Sequence, residues 1–270
     1  MSQIRVAVNG ALGKMGQQVV SAVAADPDLI LTCASDIRAE KGNVSVQGYD
    51  SKVPLYPDLA TLIEMHHPEV VVDFTVAGAA LSSARLALKN GSHLVMGTTG
   101  LKEADLREIG DLAEKYKKGA VVAPNFAIGA VIMMHLARIA AKYFDNAEII
   151  EMHHDRKADA PSGTALATVD AMIEGRGRPF QYPHTEKETL KGTRGGQKDG
   201  VAIHSVRLPG LVASQEVIFG ALGQTLTLRH DTFGRESYMP GVIFAIKEVV
   251  KLQGLVIGLN SLLQLGEGYG

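Results

Sequence analysis

The chain has 270 residues, 46% of them apolar and 21% charged, with a formal net charge of −2. That balance suits a soluble globular protein of one large or two modest domains, and its near-neutral charge creates no field that would draw nucleic acid or an anionic membrane. A lone cysteine, Cys33, excludes an intrachain disulfide framework and suits a reducing cytoplasm; the opening MSQIRVAVNG lacks signal-peptide architecture, and no run approaches the roughly 18 apolar residues of a spanning helix.

In the first half, short apolar runs alternate with helical patterns. Residues 4–8 predict a strand and 13–25 a helix, with Met15, Val19, Ala22 and Val23 at helical spacing. Residues 29–34 predict a second strand, followed by a loop rich in Gly, Asp and Lys. The run VVVDF, 70–74, has the continuous apolar character of a buried strand. Residues 78–88 predict a helix, 93–96 a strand ending in GTTG, 102–117 an amphipathic helix and 120–123 another strand. The alternation predicts a Rossmann-like, doubly wound parallel sheet with helices on both faces.

After Asn125 the pattern changes. Residues 128–144 predict a long apolar helix, 147–152 a strand and 161–173 a helix, and a polar loop fills 175–200. The runs VAIHSVRL, QEVIFGA and QTLTLRH alternate as antiparallel strands do. A final helix is expected over 240–252. The expected organisation is a dinucleotide-binding domain over 1–126, a C-terminal α+β domain over 127–239 with a mostly antiparallel or mixed sheet, and a terminal segment, 240–265, packing back on the first domain. Within that segment GLVIGLNSLLQL reads as a buried or interface stretch, and the terminal GEGYG as a disordered tail.

The first expected strand runs into Gly10, Ala11, Leu12, Gly13, Lys14, Met15 and Gly16. Glycines permit a tight turn and let backbone approach a pyrophosphate, and a helix start aims free N–H groups and the positive end of its dipole at that charge. The spacing is GxxGxxG rather than the usual GxGxxG of dinucleotide folds. Asp36 lies 20 residues past Gly16, just after the second strand, where a carboxylate accepts from the adenosine ribose; Arg38 can instead pair with a 2′-phosphate. That pair implies tolerance of both NADH and NADPH. Two further loops, Gly97-Thr98-Thr99-Gly100 and Ala123-Pro124-Asn125-Phe126, follow expected parallel strands. Ligands of open α/β sheets bind beyond the carboxyl ends of the strands, so backbone groups there are candidates to hold the nicotinamide amide and ribose.

The stretch EMHHDRKADAPSGTA, 151–165, concentrates proton donors ahead of a helix. On an extended strand neighbouring side chains point to opposite faces, so His153 and His154 reach one atom only if the strand ends there. Lys157, in the loop beyond, can swing back on its long stem. Pro161 suits a first helical turn, which leaves the amides of Ser162, Gly163 and Thr164 as unsatisfied donors. With two hydroxyls they form a compact carboxylate site. Histidine supplies a group of near-neutral pKa and lysine a fixed cation or a proton. The cluster suits a substrate with more than one carboxylate whose carbon–nitrogen system must be protonated. No metal is expected: the adjacent histidines diverge and no cysteine is near. His66 and His67, before Pro68 in an expected surface loop, receive no role, and His135 on the apolar helix reads as structural.

Taken together these stretches resemble the 4-hydroxy-tetrahydrodipicolinate reductase family, long called dihydrodipicolinate reductase, of the bacterial and plant diaminopimelate route to lysine. The pattern E-x-H-H-x-x-K-x-D-A-P-S-G-T-A is matched from Glu151 to Ala165; GAxGKMG, VDFT, MGTTG and APNF fall in family order, and IHSVRLPGLV and LTLRHD look like family core strands. The resemblance covers nearly the whole chain. It implies that His153 donates or accepts the reaction's proton, that Lys157 is a general acid, that His154 binds substrate and that Gly163 and Thr164 hold a substrate carboxylate. Gly10, Ala11, Leu12, Gly13, Lys14, Met15, Asp36, Arg38, Gly97, Thr98, Thr99, Ala123, Pro124, Asn125 and Phe126 fall on its cofactor contacts. It further implies NADH or NADPH as cofactor, a small dicarboxylate as substrate and a cytoplasmic homotetramer built through the second domain's sheet. Many relatives carry Gly-Glu-His-Thr where this chain has Ala213, Ser214, Gln215 and Glu216, which leaves those side chains without an implied role. Two other readings, a different two-domain dehydrogenase and a non-catalytic nucleotide sensor, give no reason for the HHxxK and PSGT combination.

Overall fold

The computed structural model describes residues 3–40, 42–46 and 49–265; the terminal GEGYG, expected as a tail, lies outside the described residues. The chain divides into two compact units, Met1–Ile128 with Tyr238–Gly270, and Gly129–Ser237. The first unit begins with β1 (Ile4–Asn9), α1 (Lys14–Ala25), β2 (Leu29–Ser35), β3 (Gly42–Val46), β4 (Tyr49–Tyr56), α2 (Leu59–His66) and β5 (Val70–Asp73). It continues through α3 (Ala77–Lys89), β6 (His93–Met96), α4 (Glu103–Lys115) and β7 (Gly119–Val122), and the end of the chain adds α7 (Met239–Val249), β13 (Gly254–Ile257) and α8 (Leu259–Leu262).

These strands form one sheet in the order β13-β7-β6-β5-β1-β2-β4-β3, parallel throughout except for the β3–β4 pair. Val6, Ala7 and Val8 of β1 and Val70, Val71 and Val72 of β5 are fully buried. Helices cover both faces of a parallel sheet, so its central strands are apolar without alternation. Helix α1 buries Val19, Val20 and Val23 on one stripe and stops before Asp26-Pro27, because a residue preceding proline is pushed out of helical conformation. The strand order reverses between β1 and β5, a topological switch point. The loops after these two strands therefore diverge and leave a crevice at their carboxyl ends. Helix α7 packs on α1, β6 and β7, and Lys247 pins it to the turn after α1 through Asp26 at 3.0 Å and Asp28 at 2.6 Å.

The second unit holds most of α5 (Ile128–Ala140), then β8 (Asn146–His153), α6 (Gly163–Arg176), β9 (Gly196–Lys198), β10 (Val201–Arg207), β11 (Ala213–Ala221), β12 (Gln224–Thr232) and a 3-10 turn at Arg235–Tyr238. Its sheet runs β12-β11-β8-β10-β9. Ala147 and Ile149 of β8, Val217 and Phe219 of β11 and Ile203 of β10 pack with Met133, Ala137, Ala165, Val169 and Met172 of α5 and α6. Strand β8 is thus the central strand of a sheet with one face on its helices.

Several sequence expectations need correction. The loop after β2 contains β3, β4 and α2, whose short runs are stabilised by pairing with β2 and by the Asp58 cap on the Thr61 amide at 2.8 Å. His66 does not sit in a loop: it ends α2, with Nε2 2.9 Å from the Tyr56 hydroxyl, while His67 caps the helix in left-handed conformation. Strand β10 runs parallel, not antiparallel, to β8, since a long excursion through α6 lets the chain cross over. The final helix ends at Val249, and the GLVI run beyond becomes edge strand β13 alongside β7. Helix α5 ends at Ala140 rather than continuing to Phe144.

Leu94 is fully buried in the centre of the larger sheet's core. Leu94→Ala should destabilise the first unit by about 2–5 kcal/mol, the usual combined transfer and cavity cost, seen as a lower urea midpoint with an unchanged slope.

Candidate active site

In the first unit the glycine loop leaves β1 at the switch point. Gly10 has φ +82, and a Cβ there would lie 2.8 Å from the Phe74 carbonyl oxygen; a Cβ on Gly16 would lie 2.0 Å from the Gly10 oxygen. Only glycine lets α1 start this close to the loop. The amides of Gly10 and Ala11 donate to the Ser35 carbonyl, that of Gly13 to Gly10 and that of Leu12 to Asp36. Of the six loop residues expected at the cofactor, Lys14 and Met15 therefore supply the amides without an acceptor among the described residues, at the positive end of α1. A cavity of about 310 Å³ opens beside them, lined by Met15, Phe74, Thr75, Val76, Ala77, Gly97, Thr98 and Thr99.

A buried polar network holds the floor of this crevice. Asp73, fully buried at the end of β5, accepts from the Asn9 amide at 2.7 Å and from the hydroxyls of Thr75 at 2.8 Å and Thr98 at 3.0 Å. The Ser35 hydroxyl donates to Asn9 Oδ1 at 2.8 Å. Four strand ends are thus tied together by hydrogen-bonded side chains. Ala123 and Phe126 are buried, Pro124 is exposed, and Asn125 turns back to accept from the Ala127 amide at 2.9 Å. Phe126 packs 5.8 Å from the Phe74 ring, so its side chain is part of the core.

Asp36, nearly buried, accepts from the Leu12 amide at 3.0 Å and from Arg38 through its backbone amide, Nε and Nη2 at 3.0, 3.0 and 3.2 Å. Burial pushes its carboxyl up, but the bonds from Arg38 and Leu12 outweigh burial and hold it below the ordinary aspartate value. The crevice, the free helix amides and the acidic residue after β2 together fit a dinucleotide.

In the second unit β8 ends at His153, the condition under which two adjacent histidines are not forced to opposite faces; His153 is mostly covered, His154 exposed. Two residues before the end, Glu151 is fully buried on the same face as Ala147 and Ile149. Its carboxylate takes Arg207 in a bidentate pair, Nη2 to Oε1 at 2.7 Å and Nη1 to Oε2 at 3.0 Å. His153 Nδ1 lies 2.5 Å from Oε2, and the Ser162 amide donates to Oε1 at 3.3 Å. Burial pushes the Glu151 carboxyl up, but Arg207, Ser205 and His153 overcome it and hold it below the ordinary glutamate range. Burial depresses His153 below the ordinary histidine value; the Glu151 hydrogen bond and charge oppose this without cancelling it, and the charges of Lys157 and Arg207 add to it.

Helix α6 begins at Gly163, not at Pro161. Ser162 is extended and caps it, accepting from the Ala165 amide at 3.1 Å; that cap requires a non-helical backbone at Ser162 and leaves Pro161 outside. Because the Ser162 amide goes to Glu151, the open donors are those of Gly163 and Thr164, which have no acceptor among the described residues. Nothing lies within 4 Å of a Cβ built on Gly163, so space is open there. Lys157 is folded onto Asp159, Nζ to Oδ1 at 2.7 Å, and the Asp159 carbonyl accepts from Arg207 Nη2 at 2.8 Å.

Glu151 and Arg207 escaped the sequence reading as site residues. Period-two alternation could have found the first, because it puts a carboxylate on the strand's apolar face, where an unpaired charge is too costly to leave. Arg207 is reached only through the parallel register of β10 on β8, which sets it beside His153. Phe74 and Thr75 of the crevice wall entered only as part of the VDFT strand, and Val76 and Ala77 carried no sequence signal. His135 stands half-buried on α5.

A crevice beyond the strand ends of a doubly wound sheet, at its switch point, is where such folds bind dinucleotides, and the chain is of the class of oxidoreductases built on that fold. Within that class this chain belongs to the dihydrodipicolinate reductase family. The model of that family's N-terminus matches residues 4–126 and the model of its C-terminus residues 129–263. The 4-hydroxy-tetrahydrodipicolinate reductase of Dehalococcoides mccartyi is 49% identical over 265 residues, covering 98% of this chain and 100% of the relative. That of Desulfitobacterium hafniense is 49% identical over 269 residues, with 98% and 100% covered. The solved structure of dipicolinate-bound dihydrodipicolinate reductase from Paenisporosarcina sp. TG-14 superposes with a TM-score of 0.87 at 44% identity, over 96% of this chain and 99% of the other.

Arg207→Met should destabilise the fold by about 3–5 kcal/mol at neutral pH, because the buried Glu151 carboxyl must then either stay charged without its counter-ion or take up a proton. The depressed Glu151 carboxyl contributes stability above its unfolded value of about 4.5 and loses it as pH falls through the folded value. Without its counter-charge the variant's Glu151 carboxyl rises, so the gap between variant and wild type in urea denaturation should narrow as pH falls from that raised value toward the depressed wild-type one.

Proposed function

We propose that the chain reduces 4-hydroxy-tetrahydrodipicolinate to tetrahydrodipicolinate with NADH or NADPH, in the diaminopimelate route to lysine. The observation that carries this reading is the shared use of Glu151 by His153 and by the cap of α6: proton source and anion site are built as one object. The bound dipicolinate of the Paenisporosarcina relative, a planar ring with two carboxylates, is the kind of ligand such an object suits.

Gly10 to Gly13 shape the nucleotide loop, and the Lys14 and Met15 amides take the pyrophosphate. Gly97 to Thr99 line the same crevice, and Ala123 to Phe126 follow β7, the strand beside β6. A reduced nicotinamide held in that crevice would supply the hydride that replaces the substrate's 4-hydroxyl, lost as water. In the second unit the Gly163 and Thr164 amides, with the Thr164 hydroxyl, hold one carboxylate, and Ser162 contributes as the cap that aims them. His154, free on the surface side of the strand end, and Lys157, released from Asp159, hold the other.

His153 manages the proton. Its depressed pKa leaves the free imidazole largely neutral at pH 7. A dianion arriving beside it favours the imidazolium, so binding itself charges the ring from solvent or from Lys157. The imidazolium then gives that proton to the electron-rich ring that hydride addition creates. The unit's edge strand β12, paired among the described residues only to β11, supports assembly of copies through this sheet into a homotetramer. No helix among the described residues is long and apolar enough to cross a membrane. The cytoplasmic location rests on the proposed biosynthetic role alone.

His153→Gln should lose kcat by about 10²–10⁴-fold, the range of positioned proton transfer, with nucleotide affinity unchanged by fluorescence titration; near-full kcat would remove the proton role. In the wild type, both kcat/KM and kcat should fall as pH rises through the His153 pKa. The fall in kcat/KM, which reports the free enzyme, should come at lower pH than the fall in kcat.

Cofactor choice turns on the pair after β2. With Arg38 lying on Asp36, a ribose diol must displace it, whereas a 2′-phosphate draws the guanidinium away and keeps a cationic partner. Arg38→Ala should raise KM for NADPH and leave KM for NADH near its original value. An unchanged ratio in steady-state kinetics would take Arg38 out of cofactor selection.

A further inference from the structure

The strongest unassigned feature is the buried carboxylate in the middle of the second sheet. Glu151 reaches three elements at once: His153 at the end of its own strand, Arg207 at the end of β10 and the Ser162 amide at the cap of α6. Through Arg207 it also holds the Asp159 carbonyl, and Asp159 in turn holds Lys157. In register, Ser205 and Gln215 flank it from the neighbouring strands, and Gln215 gives its amide to Thr168 at 2.8 Å. The charged groups around the imidazole are thus Glu151, Arg207, Lys157 and Asp159.

We propose that Glu151 is the positioning residue of the proton step: its carboxylate fixes the ring plane and tautomer of His153 and, with Arg207, sets the lysine loop and the helix cap relative to that ring. This rests on the reading of His153 as the proton carrier. An ionised carboxylate only accepts hydrogen bonds, and Glu151 is kept ionised by its bidentate arginine, so His153 Nδ1 must carry the hydrogen that lies between them. In the neutral ring Nε2 is then the bare nitrogen, free to take a proton and hand it on. Arg207 matters as the counter-charge: without it the buried carboxyl would take up a proton and could donate to Nδ1, reversing the tautomer.

The full-length protein tests this. Glu151→Gln should lower kcat roughly tenfold to a hundredfold, the scale seen for outer partners that orient a functional imidazole, with nucleotide affinity unchanged. The basic limb of its kcat profile should move to lower pH, because the imidazolium loses its neighbouring anion. In a His153→Gln background the same change should add little, since groups that act as a unit are not additive; independent structural damage would instead multiply the two losses. Glu151→Asp, which restores the charge one methylene back, should recover part of the turnover. If Glu151→Gln does not fold, selective ¹⁵N-histidine NMR of the wild type above the imidazole pKa decides: Nδ1 protonated with bare Nε2 is expected, and the reverse tautomer overturns the proposal. A folded Glu151→Gln enzyme with wild-type kcat and pH profile overturns it too, leaving the proton role of His153 intact. Loss of that role shows separately, as wild-type kcat in His153→Gln alone.

Discussion

A charged carboxylate without access to water is tolerable only when its partners are fixed, and the second unit is arranged around that constraint. Glu151 sits on the central strand of a five-stranded sheet, fully buried. Desolvating such a charge costs several kcal/mol, and a bidentate arginine with further donors roughly offsets the cost. Little net stability remains, but the geometry becomes specific. The strand end, the neighbouring strand end and the helix cap must all arrive together or the charge is stranded. A purely apolar cluster would have packed as well without defining where an imidazole points.

The first unit meets the same need with neutral groups and one carboxylate. Asp73, Asn9, Ser35, Thr75 and Thr98 tie the carboxyl ends of β1, β2, β5 and β6 into one hydrogen-bonded floor. Every lone pair placed there is one that a crevice open to a charged ligand would otherwise leave to mobile water. The loops above inherit their positions from that floor, which is why the glycine turn can spend four of its amides on the chain itself and still present two to a ligand.

Both cations proposed to meet ligand anions are paired with carboxylates two residues away, Arg38 with Asp36 and Lys157 with Asp159. The Lys157–Asp159 pair has an exposed carboxylate and is weak, so an arriving carboxylate exchanges one anion for another at small cost, whereas Asp36 is nearly buried and also holds the Leu12 amide. The arrangement keeps the cations in place without committing them. Lys157 in particular contrasts with Arg207, whose partner is buried and whose pairing is structural.

Much of this was legible in the residues alone. Continuous apolar strands alternating with amphipathic helices determined the parallel sheet, since both depend on local periodicity. The Gly10–Gly16 loop, the acid after β2 and the run from Glu151 to Ala165 were readable because each is contiguous and its chemistry follows from spacing. What stayed hidden depends on distant partners. Strands β3, β4 and β13 take their conformation from pairing at sheet edges, not from their own sequence. The helix start moved from Pro161 to Gly163 because the Ser162 side chain had a backbone amide to cap. The alliance of Glu151 with Arg207, 56 positions apart, exists only through the parallel register of two strands, and no local pattern encodes a register between segments separated by a helix and a long loop.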